Sequence, residues 1–149
     1  MRNHWPVLLA GILLTTPSIV LAQDEEEPVI HYITTTTFEL PTGDDRATVM
    51  EYIDEVWAPQ ARLDPNVLWF RVATHNWGSN SNMAVMIYEY EDFASINADC
   101  EPCNDWYEAQ QPAEGTPERE AWDEREEIFF TAYAGHADEI FQTNMSRAK

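Results

Sequence analysis

Three histidines, two cysteines and one arginine are the residues of this chain whose types and settings suit chemistry. His31, His75 and His136 each sit in or beside a run of β-branched and aromatic residues. Residues two apart on a strand share a face. By that rule His75 stands with Arg71 and Trp77, His136 with Asp138, and His31 with Ile33, Thr35 and Thr37. If those faces turn toward one cavity, three imidazoles and the Asp138 carboxylate suit a first-row transition metal such as zinc, copper or iron. A single histidine suits haem iron. A His–Asp pair suits acid–base work near neutral pH. On this basis His75, His136 and Asp138 are the candidate catalytic residues. The competing reading for each histidine is a hydrogen-bonded structural residue at a strand end.

Trp69, Trp77 and Tyr88 suit stacking on a flat aromatic ligand, although such residues equally build a core or a subunit interface. Arg71 can hold a ligand carboxylate with two parallel hydrogen bonds or, in so acidic a chain, form an internal salt bridge. With His31 these make up the candidate ligand-binding set. Cys100-Glu101-Pro102-Cys103 admits three readings. A small structural disulfide fits an exported protein. A redox motif needs Cys100 at a helix N-terminus just after a strand, whereas Phe93 to Asp99 reads as helix or turn. A zinc site needs two further ligands, and no histidine lies nearby in sequence. Covalent haem attachment of the Cys-x-x-Cys-His type is excluded by Asn104. No HExxH, glycine-rich phosphate loop or nucleophile elbow is present.

The elements that position these residues follow from periodicity. Val29 to Leu40 (VIHYITTTTFEL) is β-rich and bounded by prolines, so it reads as a strand. A turn at Pro41 to Asp45 leads into a helix to about Arg62, with Val49, Met50, Ile53, Val56, Trp57 and Gln60 in a 3.6-residue stripe and Pro59 disturbing its last turn. Val67 to Trp77 and Met83 to Glu91 are strands joined by a Gly78 to Asn82 turn. Both faces of each carry apolar residues, so both need cover. Asp92 to Ala98 begins a second helical region. The insert at 99–116 reads as a loop with one helical turn at Trp106 to Gln110. Thr116-Pro117 then starts a helix that Gly135 stops. His136 to Thr143 is a short last strand. The order is β-α-β, β-α-β, the split βαβ arrangement of an α+β, ferredoxin-like domain.

Composition narrows the function classes. The 149-residue chain carries a formal net charge of -19. Such a chain repels phosphate backbones and anionic membrane surfaces, so nucleic acid and membrane are poor partners. Residues 1–22 have the basic start, short apolar run and small-residue end of a secretory signal, and are too interrupted to span a bilayer. Export to the periplasm or outside the cell is therefore expected. Residues 23–28 form an acidic leader, 29–143 one domain and 144–149 a tail. In the acid-rich segment Glu118 to Glu127, Arg119 and Arg125 alternate with carboxylates, the pattern of a solvated helix face.

This order of elements resembles that of the dimeric α/β-barrel proteins. His75-Asn76-Trp77-Gly78 and His136-Ala137-Asp138-Glu139-Ile140 are similar to segments of exported, functionally obscure members. The resemblance implies a four-stranded antiparallel sheet with helices on one face, two such sheets packing face to face in a homodimer. The wider group includes cofactor-independent and haem-degrading monooxygenases, haem-dependent peroxidases and small cyclases, so the fold implies no single activity. Haem-degrading members use an Asn, Trp and His set. Here Asn76, Trp77 and His75 are contiguous, adjacent strand residues face opposite ways, and those roles are not carried over. The expectation is an exported small-molecule-binding protein for an aromatic ligand or haem. The alternative is a monooxygenase-like enzyme using His75 and His136/Asp138, with or without haem or a transition metal.

Overall fold

The strand-rich and stripe-rich segments form the elements their patterns suggest. The structure, a computed structural model, describes residues 28–75 and 82–145. The segment expected to be a secretory signal, nearly all of the acidic leader, Trp77, most of the hairpin turn and the end of the tail lie outside the described residues. The strands are β1 (Ile30–Glu39), β2 (Val67–Thr74), β3 (Met83–Tyr90) and β4 (Ala137–Asn144). The helices are α1 (Asp44–Tyr52), α2 (Ala58–Leu63), α3 (Glu101–Gln110) and α4 (Pro117–Tyr133). One four-stranded sheet runs in the order β2-β3-β1-β4 with every neighbouring pair antiparallel. With its helical crossovers, this is the ferredoxin-like arrangement.

Parity divides the sheet into two unlike faces. Phe38, Ala84 and Met86 are buried in a core with Val49, Tyr52, Ile53 and Val56 from the first helical region and Trp122 and Phe129 from α4. Phe70, Val72 and Tyr88 pack against the same cluster. All of these strand residues share one parity, so the helices cover one face only. The opposite parity presents Ile33, Val85 and Ile87 from the central strands and Phe141 from the edge, the last 46% exposed. In β2 the ladder slips between Val67 and Trp69, bulging Leu68, which is 50% exposed, out of the helix-facing row of Phe70 and Val72.

Local chemistry accounts for the helix boundaries. Gly43 precedes α1 at φ 72°, ψ -144°, a conformation that side chains strongly disfavour. Asp44 and Asp45 then meet the positive end of the helix dipole. Between α1 and α2 the chain winds as one π-helical segment, Ile53–Trp57. Pro59 explains it. It has no N–H, and its ring crowds the carbonyl four residues back, so the helix widens instead of breaking. Thr116 caps α4, its hydroxyl accepting from the Arg119 N–H at 3.2 Å.

The insert departs from its reading as a loop with one helical turn at Trp106 to Gln110, since the helix begins five residues earlier. Glu101–Gln110 is a ten-residue helix. Proline at its start, which reads as a breaker in a loop-like composition, is well suited to the first helical turn. Cys103 is the buried residue of this helix and anchors it.

Candidate functional site

The candidate residues fall into three separate places. The first is the open face of the sheet. His31, Trp69 and Arg71 lie there by parity, and His75 follows at the end of β2, its N–H donating to the Met83 carbonyl at 3.0 Å. His31 Nδ1 lies 2.6 Å from Glu89 Oε1, and both side chains are about four-fifths buried. The Arg71 guanidinium sits 4.7 Å over the Trp69 ring. Among the described residues Arg71 forms no ion pair, so the internal salt bridge considered for it is replaced by a cation–π contact.

The second place is the end of α4 and the start of β4, at the opposite edge of the sheet from β2. His136 Nε2 lies 3.3 Å from Asp138 Oδ2. The other Asp138 oxygen accepts from the Thr36 hydroxyl at 2.7 Å. His136 Nδ1 is 2.8 Å from the Tyr133 carbonyl, and its ring stacks on that of Tyr133 at 4.2 Å. Both imidazole nitrogens are thus engaged. Asp138 pairs with Thr36 in register and so has the helix-facing parity, whereas His31 and His75 have the other. Within one chain the three histidines therefore do not meet: two share the open face and the third sits at the far edge on the other side. The joint metal cluster that convergence would have made is not formed in a single subunit.

The third place lies between sheet and helices. A cavity of about 230 Å³ is lined by Trp57, Gln60, Ala61 and Asp64 from the first helical region, Tyr88 from β3, and Cys100, Cys103 and Asn104. The Trp57 indole N–H donates to the Tyr88 hydroxyl. Burial holds the Tyr88 phenol well above its ordinary pKa, outweighing that hydrogen bond, which acts the other way. Tyr88 is therefore a neutral hydroxyl at any physiological pH. Cys100 and Cys103 form a disulfide with Cα atoms 5.2 Å apart. Cys100 is the N-cap of α3, its sulfur accepting from the Cys103 N–H at 3.2 Å, and it follows a 3₁₀ turn (Ala94–Asn97), not a strand. A wider groove of about 750 Å³ runs between the end of β1 and α4. Its polar lining is three carboxylates, Glu39, Asp45 and Glu127, with Thr42 and Thr131, and it has no aromatic wall.

Sequence reasoning found Tyr88 and the cysteines but missed Trp57, Gln60 and Asp64. Trp57 lies in the apolar stripe, where a core role is the ordinary reading. Asp64 ends a helix and is distant in sequence from the cysteines it approaches. Glu126 was also missed. It belongs to the acidic run read as solvated, yet it accepts from the Tyr52 hydroxyl at 3.3 Å and from the Tyr107 hydroxyl. Arg119 behaves as that reading expects, pairing with Asp123 on its own helix at 2.6 Å, whereas Arg125 reaches across to Glu55 of the π-helical segment at 2.7 Å and lies over the Trp122 ring.

No family model matches the chain, and no curated protein matches it. Among solved structures it is similar to an ethyl tert-butyl ether D (EthD) family protein from Bacillus halodurans C-125, at 18% identity, covering 74% of this chain and 96% of that one with a TM-score of 0.46. It is also similar to a dimeric ferredoxin-like protein from an uncultured marine organism, at 16% identity, 77% and 94% coverage and a TM-score of 0.42. A third is a monooxygenase from the gene ActVA-Orf6 of Streptomyces coelicolor in complex with nanaomycin D, at 10% identity, 77% and 87% coverage and a TM-score of 0.42. None of these likenesses transfers a residue role to this chain.

Proposed function

We propose that this chain is an exported small-molecule-binding protein that works as a homodimer, with its ligand held between sheet and helices at Trp57 and Tyr88. The observation that carries the reading is the cavity itself, where two aromatic rings joined by a hydrogen bond meet the polar groups of Gln60, Asp64 and Asn104. Apolar walls with a few convergent polar groups are the usual composition of ligand sites. At about 230 Å³ the cavity is smaller than the roughly 300 Å³ at which sites for drug-sized ligands begin. Size therefore favours a single-ring aromatic compound over haem. The acid-lined groove is larger but lacks aromatic walls, so it is the weaker candidate. The apolar open face of the sheet supports dimerisation, since a second sheet of the same kind would cover it.

Titration with a panel of phenols and other single-ring aromatics, read by tryptophan fluorescence, tests this. Tyr88→Phe removes one hydroxyl and is expected to weaken binding by about five- to tenfold, the value of one hydrogen bond. Binding unchanged in both Tyr88→Phe and Trp57→Phe would overturn the site.

A second reading rests on the His136–Asp138 pair. Thr36 holds the carboxylate and Tyr133 backs the ring, and the 3.3 Å contact of His136 Nε2 with Asp138 is the one a substrate would replace for proton transfer, as an oxidative enzyme on this scaffold would require. Turnover of a quinol-like substrate that is lost in His136→Ala would favour that reading over simple binding. Unimpaired turnover in the variant would exclude the pair.

A further inference from the structure

The disulfide that lines the cavity has a third group beside it. The ligand atoms of Asp64, Cys100 and Cys103 all lie within 4.8 Å of one another. Asp64 is held in place by its own neighbour: one carboxylate oxygen accepts from the Asn66 N–H at 2.8 Å and from Asn66 Nδ2 at 2.9 Å. Such outer partners orient a metal-ligating carboxylate. The Cys103 N–H points at Cys100 Sγ at 3.2 Å, and Gln60 Nε2 donates to the Cys103 carbonyl at 3.3 Å, tying α2 to α3 around the sulfurs. Cys-x-x-Cys is the spacing of half a zinc site.

We propose that reduction of the Cys100–Cys103 disulfide turns this corner into a binding site for one divalent zinc-like ion, with Cys100, Cys103 and Asp64 as ligands and a fourth position open toward the cavity. In the first step the S–S bond breaks as a dithiol donor gives up two electrons and two protons and closes to its own disulfide. In the second the ion displaces the two thiol protons to solvent and binds both thiolates.

The field of so acidic a chain, of formal net charge -19, concentrates cations. Two sulfurs and one oxygen suit a borderline-soft ion, and an open fourth position is the pattern of sites that engage a further ligand. This inference does not depend on the aromatic ligand proposed above, because it concerns metal uptake by the chain alone.

The chain is reduced with dithiothreitol, desalted without oxygen and titrated with Zn²⁺ against a chromophoric chelator. A parallel sample keeps its disulfide. One equivalent bound by the reduced chain and none at this site by the oxidised chain is expected. Co²⁺ in place of Zn²⁺ should give thiolate-to-cobalt charge-transfer absorption. Asp64→Asn keeps an oxygen to accept from Asn66, and so keeps the turn, but loses the charge. It should weaken Zn²⁺ binding by more than roughly tenfold, the low end for loss of an outer partner, with circular dichroism and disulfide formation unchanged. Equal uptake by reduced and oxidised chains, or no cobalt–thiolate band, would overturn the site. Wild-type affinity in Asp64→Asn would overturn the three-ligand assignment.

Discussion

At the scale of single residues, this chain places its reactive groups by burial more than by proximity in sequence. Tyr88 and Tyr52 show it most clearly. Burial raises both phenols well above the ordinary value, and for Tyr52 the nearby Tyr107 and Glu126 add to the effect. Tyr90, Tyr107 and Tyr133 move in the same direction, again chiefly through burial. A phenol whose pKa rises on folding favours the folded state fully below its unfolded value, about 10. That contribution is lost as pH climbs through the folded value. Stability should therefore be insensitive to these groups up to about pH 9 and fall above about pH 10. A spectrophotometric titration is expected to show tyrosinate absorbance from these phenols appearing together with loss of ellipticity. Full ionisation of every tyrosine near pH 10 with the fold retained would contradict their burial. At the same scale, the separation of His136 from His31 and His75 follows from one register fact. Thr36 pairs with Asp138, which gives the last strand's carboxylate the helix-facing parity. Strand parity within each segment could be read from the sequence, but the partner of each strand could not.

At the scale of elements, the sequence was most legible where a period of two or 3.6 runs uninterrupted. β1, β3 and α4 lie close to their expected bounds because alternation, turn residues and the Thr116-Pro117 start all agree. α3 was not legible. Its sequence, EPCNDWYEAQ, mixes acidic, polar and aromatic residues without a clean apolar stripe, and its hold on the fold comes from Cys103, the disulfide and Trp106 and Tyr107 packing on the core. The π-helical segment before Pro59 was legible only as a disturbance, since a proline in a helical pattern signals a defect without saying whether the helix kinks, widens or ends. The Thr116 cap was legible in full, and its value can be measured. Thr116→Ala leaves the Arg119 N–H without its side-chain acceptor and should lower stability by about 1 kcal/mol in urea unfolding, with an unchanged m-value. A change within experimental scatter would mean that the Pro117 start alone sets the end of α4.

At the scale of the whole molecule, the one-sided helical layer leaves an apolar sheet face that the fold of one chain does not cover. Ile33, Val85 and Ile87 sit near its centre, with Trp69 and Arg71 on one side and Phe141 on the other. Placing a charge there should prevent a second sheet from packing. Ile87→Lys is expected to convert a dimer to a monomer in analytical ultracentrifugation while leaving the helix-side core, which uses the other parity, intact. A wild-type monomer, or a variant that still dimerises, would remove the sheet-to-sheet arrangement. The sequence signalled this face through its two-sided apolar strands. It also led to the expectation of a cavity between sheet and helices or across the dimer interface, but not to the lining, which joins residues from the π-helical segment, α2, β3 and the start of α3 that no local pattern connects.

The most direct test of the central claim, that a small aromatic ligand binds between sheet and helices, is a ¹H–¹⁵N NMR fragment screen of the wild-type protein, following the side-chain indole signal of Trp57 assigned by Trp57→Phe. Single-ring aromatic fragments that bind should shift that signal and the backbone signals of Gln60 and Tyr88, because all three line the same cavity. Fragments that bind without moving the Trp57 indole, or that shift only residues of the groove between β1 and α4, would contradict the account.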